Sequence, residues 1–172
     1  PNYKVYATLM DSVPLINADD VWQMQDGQGN LLTGDGMTIT MIDSGIDYTH
    51  PDFGSCTQQQ FLTGNCEKVV GGYDFWDDDN DPMDVAAHGT HPSSIAAGNG
   101  ALKGVAPAAK IVMYRVLGPD NWGTWDAIIA SFEKAIDPNN DDDFSDHAEI
   151  VVPIVAGSSQ DSPSTPWNQA AL

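Results

Sequence analysis

Two short stretches carry side chains that can move protons. The run Ile39-Thr40-Met41-Ile42 is apolar and β-type, and it ends on Asp43 and a Ser44-Gly45 turn. In open α/β sheets, ligands gather beyond the carboxyl ends of the strands. A carboxylate there can accept the Nδ1–H of a histidine, fix its tautomer and stabilise the imidazolium formed in proton transfer. The plainer alternative is a turn carboxylate that caps a local amide. Downstream, His88-Gly89-Thr90-His91 sets a histidine at the start of a predicted helix. A histidine so placed either acts as a general base or is an exposed helix-start side chain. His88 and His91 lie three apart with no third ligand in view, which makes a poor zinc site.

The elements that must position these residues alternate in type. Apolar runs predict strands over Met37 to Ile42, Val69 to Tyr73, Lys110 to Val116 and Ile150 to Val155. Helices are predicted over Ala87 to Ala97 and Thr124 to Ile136; in the second, Ile128, Phe132 and Ala135 or Ile136 share a face. A short helix start is expected at Asn17, with Asn17 as cap and acids in the first turn. Strands alternating with helices predict an α/β fold with a parallel sheet. No internal repeat or linker divides the chain, so residues 1–172 read as part of one domain. Near the end, Thr165-Pro166 opens a helix that has less than two turns to run, and a helix that short does not stand alone. The chain is therefore expected to be part of something larger.

Two loops are distinctive. Cys56 and Cys66 flank a short polar stretch, which predicts a disulfide and an oxidising compartment, or else two unpaired thiols. Asp137-Pro138-Asn139-Asn140-Asp141-Asp142-Asp143-Phe144-Ser145-Asp146 puts oxygen side chains at alternate positions, a spacing with which one loop can wrap Ca²⁺. The expected ligands are Asp137, Asn139, Asp141, Asp143 and Asp146. Such a loop asks for glycine at position 142, where Asp can take the left-handed geometry at some cost. The alternative is a solvated acidic loop. The run Asp77-Asp78-Asp79-Asn80-Asp81 is less patterned and is expected to be a solvated turn.

Composition narrows the class. The chain has 172 residues and 41% hydrophobic content, enough for a domain with a real core. Its 25 acids against 6 Lys and Arg give a net charge of −19, which repels nucleic acid and anionic membranes. That charge suits calcium, salt-rich surroundings, cationic substrates or simply a soluble extracellular surface. No apolar run reaches the ~18 residues of a membrane span. The chain opens at Pro1 without an apolar signal core, as expected of a processed chain or a portion of one.

Together, Ile42-Asp43-Ser44-Gly45-Ile46-Asp47-Tyr48-Thr49-His50-Pro51-Asp52 and His88-Gly89-Thr90-His91 resemble the Asp and His segments of subtilisin-like serine peptidases. Val69-Val70-Gly71-Gly72-Tyr73-Asp74-Phe75 and Gly104-Val105-Ala106-Pro107-Ala108-Ala109-Lys110 extend the likeness, and the segment from Ser158 through Ala171 is similar to large secreted peptidases of the lactocepin type. The resemblance runs from about Asp20 to the end. It implies a three-layer subtilisin-like fold, incomplete in this chain, with residues 1–10 a propeptide remnant or the mature N-terminus. It implies Asp43 as the orienting acid and His88 as the base, with His50 and His91 structural. The family takes its triad in the order Asp, His, Ser. Its Gly-Thr-Ser-Met-Ala segment is nowhere in these 172 residues.

Three departures stand out. Ala87 replaces the usual glycine before the histidine, Pro92 follows His91 where valine is usual, and Val155-Ala156-Gly157 replaces a Ser-Leu-Gly strand that lines the substrate pocket. Pro153 removes a ladder donor from an apparent central strand. The expected function is thus the N-terminal part of a secreted endopeptidase whose nucleophilic serine lies outside the chain, which alone is inactive. Backbone edges at Trp122-Gly123-Thr124 and Val155-Ala156-Gly157 would pair with an extended peptide or protein substrate. The expected partners are that substrate and the missing C-terminal half, with no nucleic acid, no membrane and no organic cofactor. The alternatives are a pseudopeptidase or peptide-binding fragment, and a calcium-stabilised structural module.

Overall fold

The computed structural model describes residues 9–156. The expectations for residues 1–8 and for 157–172, Gly157 and the Thr165 helix start among them, lie outside the described residues.

Four strands form one wholly parallel sheet: β1 (Thr38–Asp43), β2 (Val69–Asp74), β3 (Lys110–Arg115) and β4 (Ile150–Pro153), in the order β2-β3-β1-β4. β1 is flanked on both sides, with Asp43 level with Arg115 of β3 and Ile42 level with Pro153 of β4. It is accordingly almost wholly buried, as its apolar sequence requires.

Alternation along the strands sorts the side chains into two cores. Ile39, Met41, Ile111 and Met113 face one side, where they pack with Phe53, Phe61 and Ala97. Ile42 and Tyr114 face the other, where they pack with Ile128 and Ala135. The first core is covered by α3 (Gln58–Leu62) and α4 (Thr90–Ala97), the second by α5 (Trp125–Ile136). The three-layer parallel α/β arrangement expected from the sequence is therefore present. Two further helices precede the sheet, α1 (Leu9–Leu15) and α2 (Ala18–Val21). Among the described residues, no helix is long and apolar enough to cross a membrane.

Local signals explain several boundaries. Thr124 caps α5 by accepting from the Ala127 amide (3.3 Å), and Thr57 and Gln60 form a reciprocal capping box on α3. Cys56 and Cys66 are bonded to each other across that helix, and Phe61 stacks on buried Tyr48 with ring centroids 4.6 Å apart.

Three expectations are corrected. Asn17 precedes α2 but caps nothing with its side chain, because its backbone is left-handed (φ 58°). α4 begins at Thr90 rather than Ala87, because Ala87 is itself left-handed (φ 60°) and cannot continue a helix. This leaves Pro92 in the first turn, where a missing N–H goes unmissed. Pro153 lies on an outer strand among the described residues. The Ile154 amide donates to Ile42 O (3.0 Å), so the alternate position, 153, faces away from β1 and no β1–β4 bond is lost.

The acidic run at 77–81 is the largely exposed turn expected, with side-chain partners in addition. The guanidinium of Arg115, buried at the end of β3, pairs with Asp74 and with Asp77 (2.7 Å). Tyr73 and Tyr48 donate their hydroxyls to Asp78 (2.6 Å) and Asp81 (2.8 Å).

Candidate active site

β1 delivers Asp43 to the carboxyl edge of the sheet. Two glycines then let the chain around it close up. Gly45 has φ 115° and lies against the loop at Pro82–Asp84; a Cβ there would sit 2.7 Å from Pro82 O. At Gly89, a Cβ would come within 2.3 Å of Gly45 O and 2.9 Å of Asp43 Cβ. The turn carrying His88 thus presses directly on the turn carrying Asp43.

The contact that results is short. His88 Nδ1 lies 2.7 Å from Asp43 Oδ1, which also accepts the Ser44 amide (2.5 Å). Asp43 is fully buried, while the side chain of His88 is 48% exposed. Burial pushes the Asp43 carboxyl above its ordinary value, hydrogen bonds from His88 and the Ser44 amide pull it back, and the charge of Asp84 adds to the upward push. Asp43 Oδ2 is buried without a partner among the described residues. An imidazole protonated at Nδ1 serves this carboxylate and leaves Nε2 as the ring's proton acceptor.

Beside His88 opens a cleft of about 770 Å³. Of the residues expected to hold a substrate, Trp122, Gly123, Val155 and Ala156 line it. Thr124 does not; its hydroxyl is committed to capping α5. The cleft also takes in Leu117, Asn121, Trp125, Ile128, Pro153 and Ile154, none of which the sequence assigned to it. Trp125 and Ile128 belong to the first turn of α5, and the 117–123 segment turns back on itself through the Leu117–Gly123 bridge. Trp122 is braced from behind by Trp76, edge to face at 4.6 Å. His50 and His91 stand apart from the cleft, and His50 accepts the Asp52 amide (3.2 Å) in a local turn.

Asp84, Ser44 and Thr90 were also missed. The Asp84 carboxylate accepts from Ser44 Oγ, from the Ala86 and Ala87 amides, and from the amide and hydroxyl of Thr90. An acid six residues before a helix-start Thr-His is the available sequence signal.

The 137–146 loop has the backbone a cation loop needs at one point: Asp142 is left-handed (φ 63°). Its oxygens turn onto local amides. Asp137 accepts from the Asp141 and Asp142 amides, Asn139 from Asp141, Asp141 from Asp143 and Asp143 from Ser145. Among the described residues, no three His, Cys, Asp or Glu side chains converge as a metal-ligand set.

Comparison with known proteins shows the family of the chain. The profile of the Subtilase family of peptidases matches residues 34–168. The Minor extracellular protease Vpr of Bacillus subtilis (strain 168) is 38% identical over 76% of this chain, and Thermitase of Thermoactinomyces vulgaris is 33% identical over 80% of it. The chain spans 15% of the length of the first and 44% of the second. A cold adapted subtilisin-like serine proteinase of known crystal structure superposes with a TM-score of 0.51 and 31% identity, covering 68% of this chain and 39% of the other. With the family profile spanning most of its length and the parallel sheet bringing Asp43 to His88, this chain belongs to the subtilase family.

Proposed function

We propose that this chain is the N-terminal part of the catalytic domain of a secreted serine endopeptidase, to which it supplies the acid and the base. The carrying observation is the 2.7 Å contact between buried Asp43 and half-exposed His88 at the mouth of the cleft. Asp43 orients the ring and stabilises its protonated form. His88 Nε2 takes the proton from a serine hydroxyl and returns it to the leaving amine. An extended peptide lies in the cleft against Trp122-Gly123 and Val155-Ala156, and its side chains meet a wall that mixes Leu117, Trp125 and Ile128 with Asn121. The bonded cysteines, the net charge of −19 and the extracellular relative support a secreted protein. The lactocepin-type likeness rests on the segment from Ser158 onward.

The nucleophile is proposed to come from outside these 172 residues, leaving the chain alone inactive. The serines near His88 are otherwise occupied: Ser44 donates to Asp84, Ser93 to Gly89 O (2.7 Å) and Ser94 to His91 O (2.8 Å). Calcium is proposed at the Asp137–Asp146 loop, on its five Asp and two Asn within ten residues and on the left-handed Asp142. There Asp137, Asn139, Asp141, Asp143 and Asp146 would hold it, and it would stiffen the loop.

The test is covalent labelling with a serine-directed organophosphorus reagent, alongside peptide hydrolysis. The complete peptidase should be labelled and active, and His88→Ala should abolish both; the 172-residue chain should be neither. Labelling of the chain alone that is lost in His88→Ala would overturn the external nucleophile. A complete protein that leaves peptides intact would overturn the peptidase reading and leave a peptide-binding module.

A further inference from the structure

The side chain of His88 is half exposed, so packing alone does little to aim its ring. Its aim is set by the backbone around it, and that backbone is tied to one carboxylate. Asp84 Oδ1 accepts from the Ala86 amide (3.0 Å) and the Ala87 amide (2.9 Å), which fixes the left-handed kink immediately before His88. Asp84 Oδ2 accepts from the Thr90 amide (2.9 Å) and hydroxyl (2.5 Å), which fixes the first turn of α4 immediately after it. The Thr90 hydroxyl in turn accepts the Asp47 amide (2.9 Å).

The other half of the pair is tied to the same group. Ser44 adjoins Asp43 in the chain, and its buried hydroxyl donates to Asp84 Oδ1 (2.9 Å) while accepting the Gly89 amide (2.9 Å). Residues 44, 86, 87 and 90 therefore converge on one carboxylate, and Gly89 joins them through Ser44. A plain helix cap would need only the Thr90 amide. Asp84 goes further, binding the turn of the acid to the turn of the base. It does so although its charge adds to the upward push on the Asp43 carboxyl, a cost a neutral cap would avoid.

We propose that Asp84 is a positioning residue for the Asp43–His88 pair, acting through Ser44 and Thr90 to set the His88 ring against Asp43. The proposal rests on the reading of Asp43 and His88 as acid and base. Asp84 is absent from the walls of the cleft in which the peptide is proposed to lie. It acts on the geometry in which the proton moves, and misplacement of a catalytic group by ~1 Å can cost on the order of 10²-fold in rate.

The experiment uses the complete peptidase and three substitutions. In Asp84→Asn, an amide nitrogen faces donors on one side, so the five bonds cannot all persist. Thr90→Val removes the hydroxyl at nearly constant volume, and Thr90→Ser keeps it. Asp84→Asn and Thr90→Val should each lower kcat by about 10- to 100-fold with KM near the wild-type value, since other loops build the cleft. The downfield proton signal of His88 Nδ1–H bonded to Asp43 should weaken in both, and Thr90→Ser should retain both properties. Undiminished kcat and signal in Asp84→Asn would overturn the proposal. So would a parallel loss of kcat and KM with no recovery in Thr90→Ser, which is the mark of a merely structural cap. Wild-type hydrolysis insensitive to His88→Ala would instead remove the acid–base reading, and the proton signal would then decide alone whether Asp84 sets the ring.

Discussion

Ala87 sits in a conformation that its side chain resists, and replacing it should be stabilising. Its φ of 60° is left-handed, which costs an L-residue with a Cβ roughly 1–2 kcal/mol and glycine almost nothing. Glycine gives back about 0.4–1 kcal/mol through the greater freedom of the unfolded chain. The Ala87 side chain is exposed, so little buried apolar surface is lost. The amide that holds the turn, donating to Asp84 Oδ1 at 2.9 Å, is present in either residue. Ala87→Gly should therefore stabilise the fold by about 0.8 kcal/mol, a rise of roughly 2–3 °C in Tm for a domain of this size. The assay is urea and thermal unfolding of wild type and variant side by side. Gly89→Ala two residues on is the contrast: its Cβ would overlap Gly45 O, and the backbone must shift, costing about 1–3 kcal/mol. A fall in midpoint for Ala87→Gly, or no loss for Gly89→Ala, would refute the idea that this turn is governed by backbone strain and close approach.

Three further outcomes are expected. Replacing Cys56 and Cys66 by Ser opens a loop whose ends are 10 residues apart, which should cost roughly 2–3 kcal/mol in urea unfolding by the chain-entropy argument; an unchanged midpoint would contradict it. Calcium should raise the Tm of the complete peptidase, and Asp141→Ala or Asp143→Ala should weaken that rise more than Asp78→Ala does. Equal responses would mean the 137–146 loop is only a solvated acidic turn. Burial, helped by nearby Lys110, lowers the Lys68 ammonium to about 8 from its ordinary 10.5. The native state therefore binds fewer protons than the unfolded one between those values, so the Lys68 contribution to stability should rise with pH from about 8 to about 10.5. Lys68→Met should flatten that rise in unfolding measured across the window.

Much of the frame was readable because it rests on local pattern. The apolar runs placed all four strands with boundaries within about two residues of those observed, and the strand-to-turn position of Asp43 put it on the edge where His88 also lies. What escaped was decided by groups far apart in sequence. The chain's single Arg, Arg115, lies 38 residues from Asp77, and it ties the exposed acidic run to buried Asp74 through ion pairs that no local pattern announces. The start of α4 was misjudged because periodicity does not register the left-handed kink at Ala87. Asp84 holds the kink by accepting the Ala86 and Ala87 amides, and it is itself tied to Ser44, 40 residues away. Thr124 reads as cleft edge and helix start, and its role as the cap of α5 is visible only in the bond from the Ala127 amide.

Among the described residues β4 is an outer strand, and its outward face has a consequence for assembly. An outer strand offers a row of amides and carbonyls to any strand that comes alongside, whether from the same protein or from another copy. Pro153 interrupts that row where the amide would point outward. An incoming strand must place an acceptor-poor or non-bonding position opposite residue 153, so one alignment is favoured over its neighbours displaced by two residues. The ring that costs β1 nothing thus acts as a key for register, narrowing which strands can add to this edge and discouraging the indiscriminate edge-to-edge pairing that leads to aggregation.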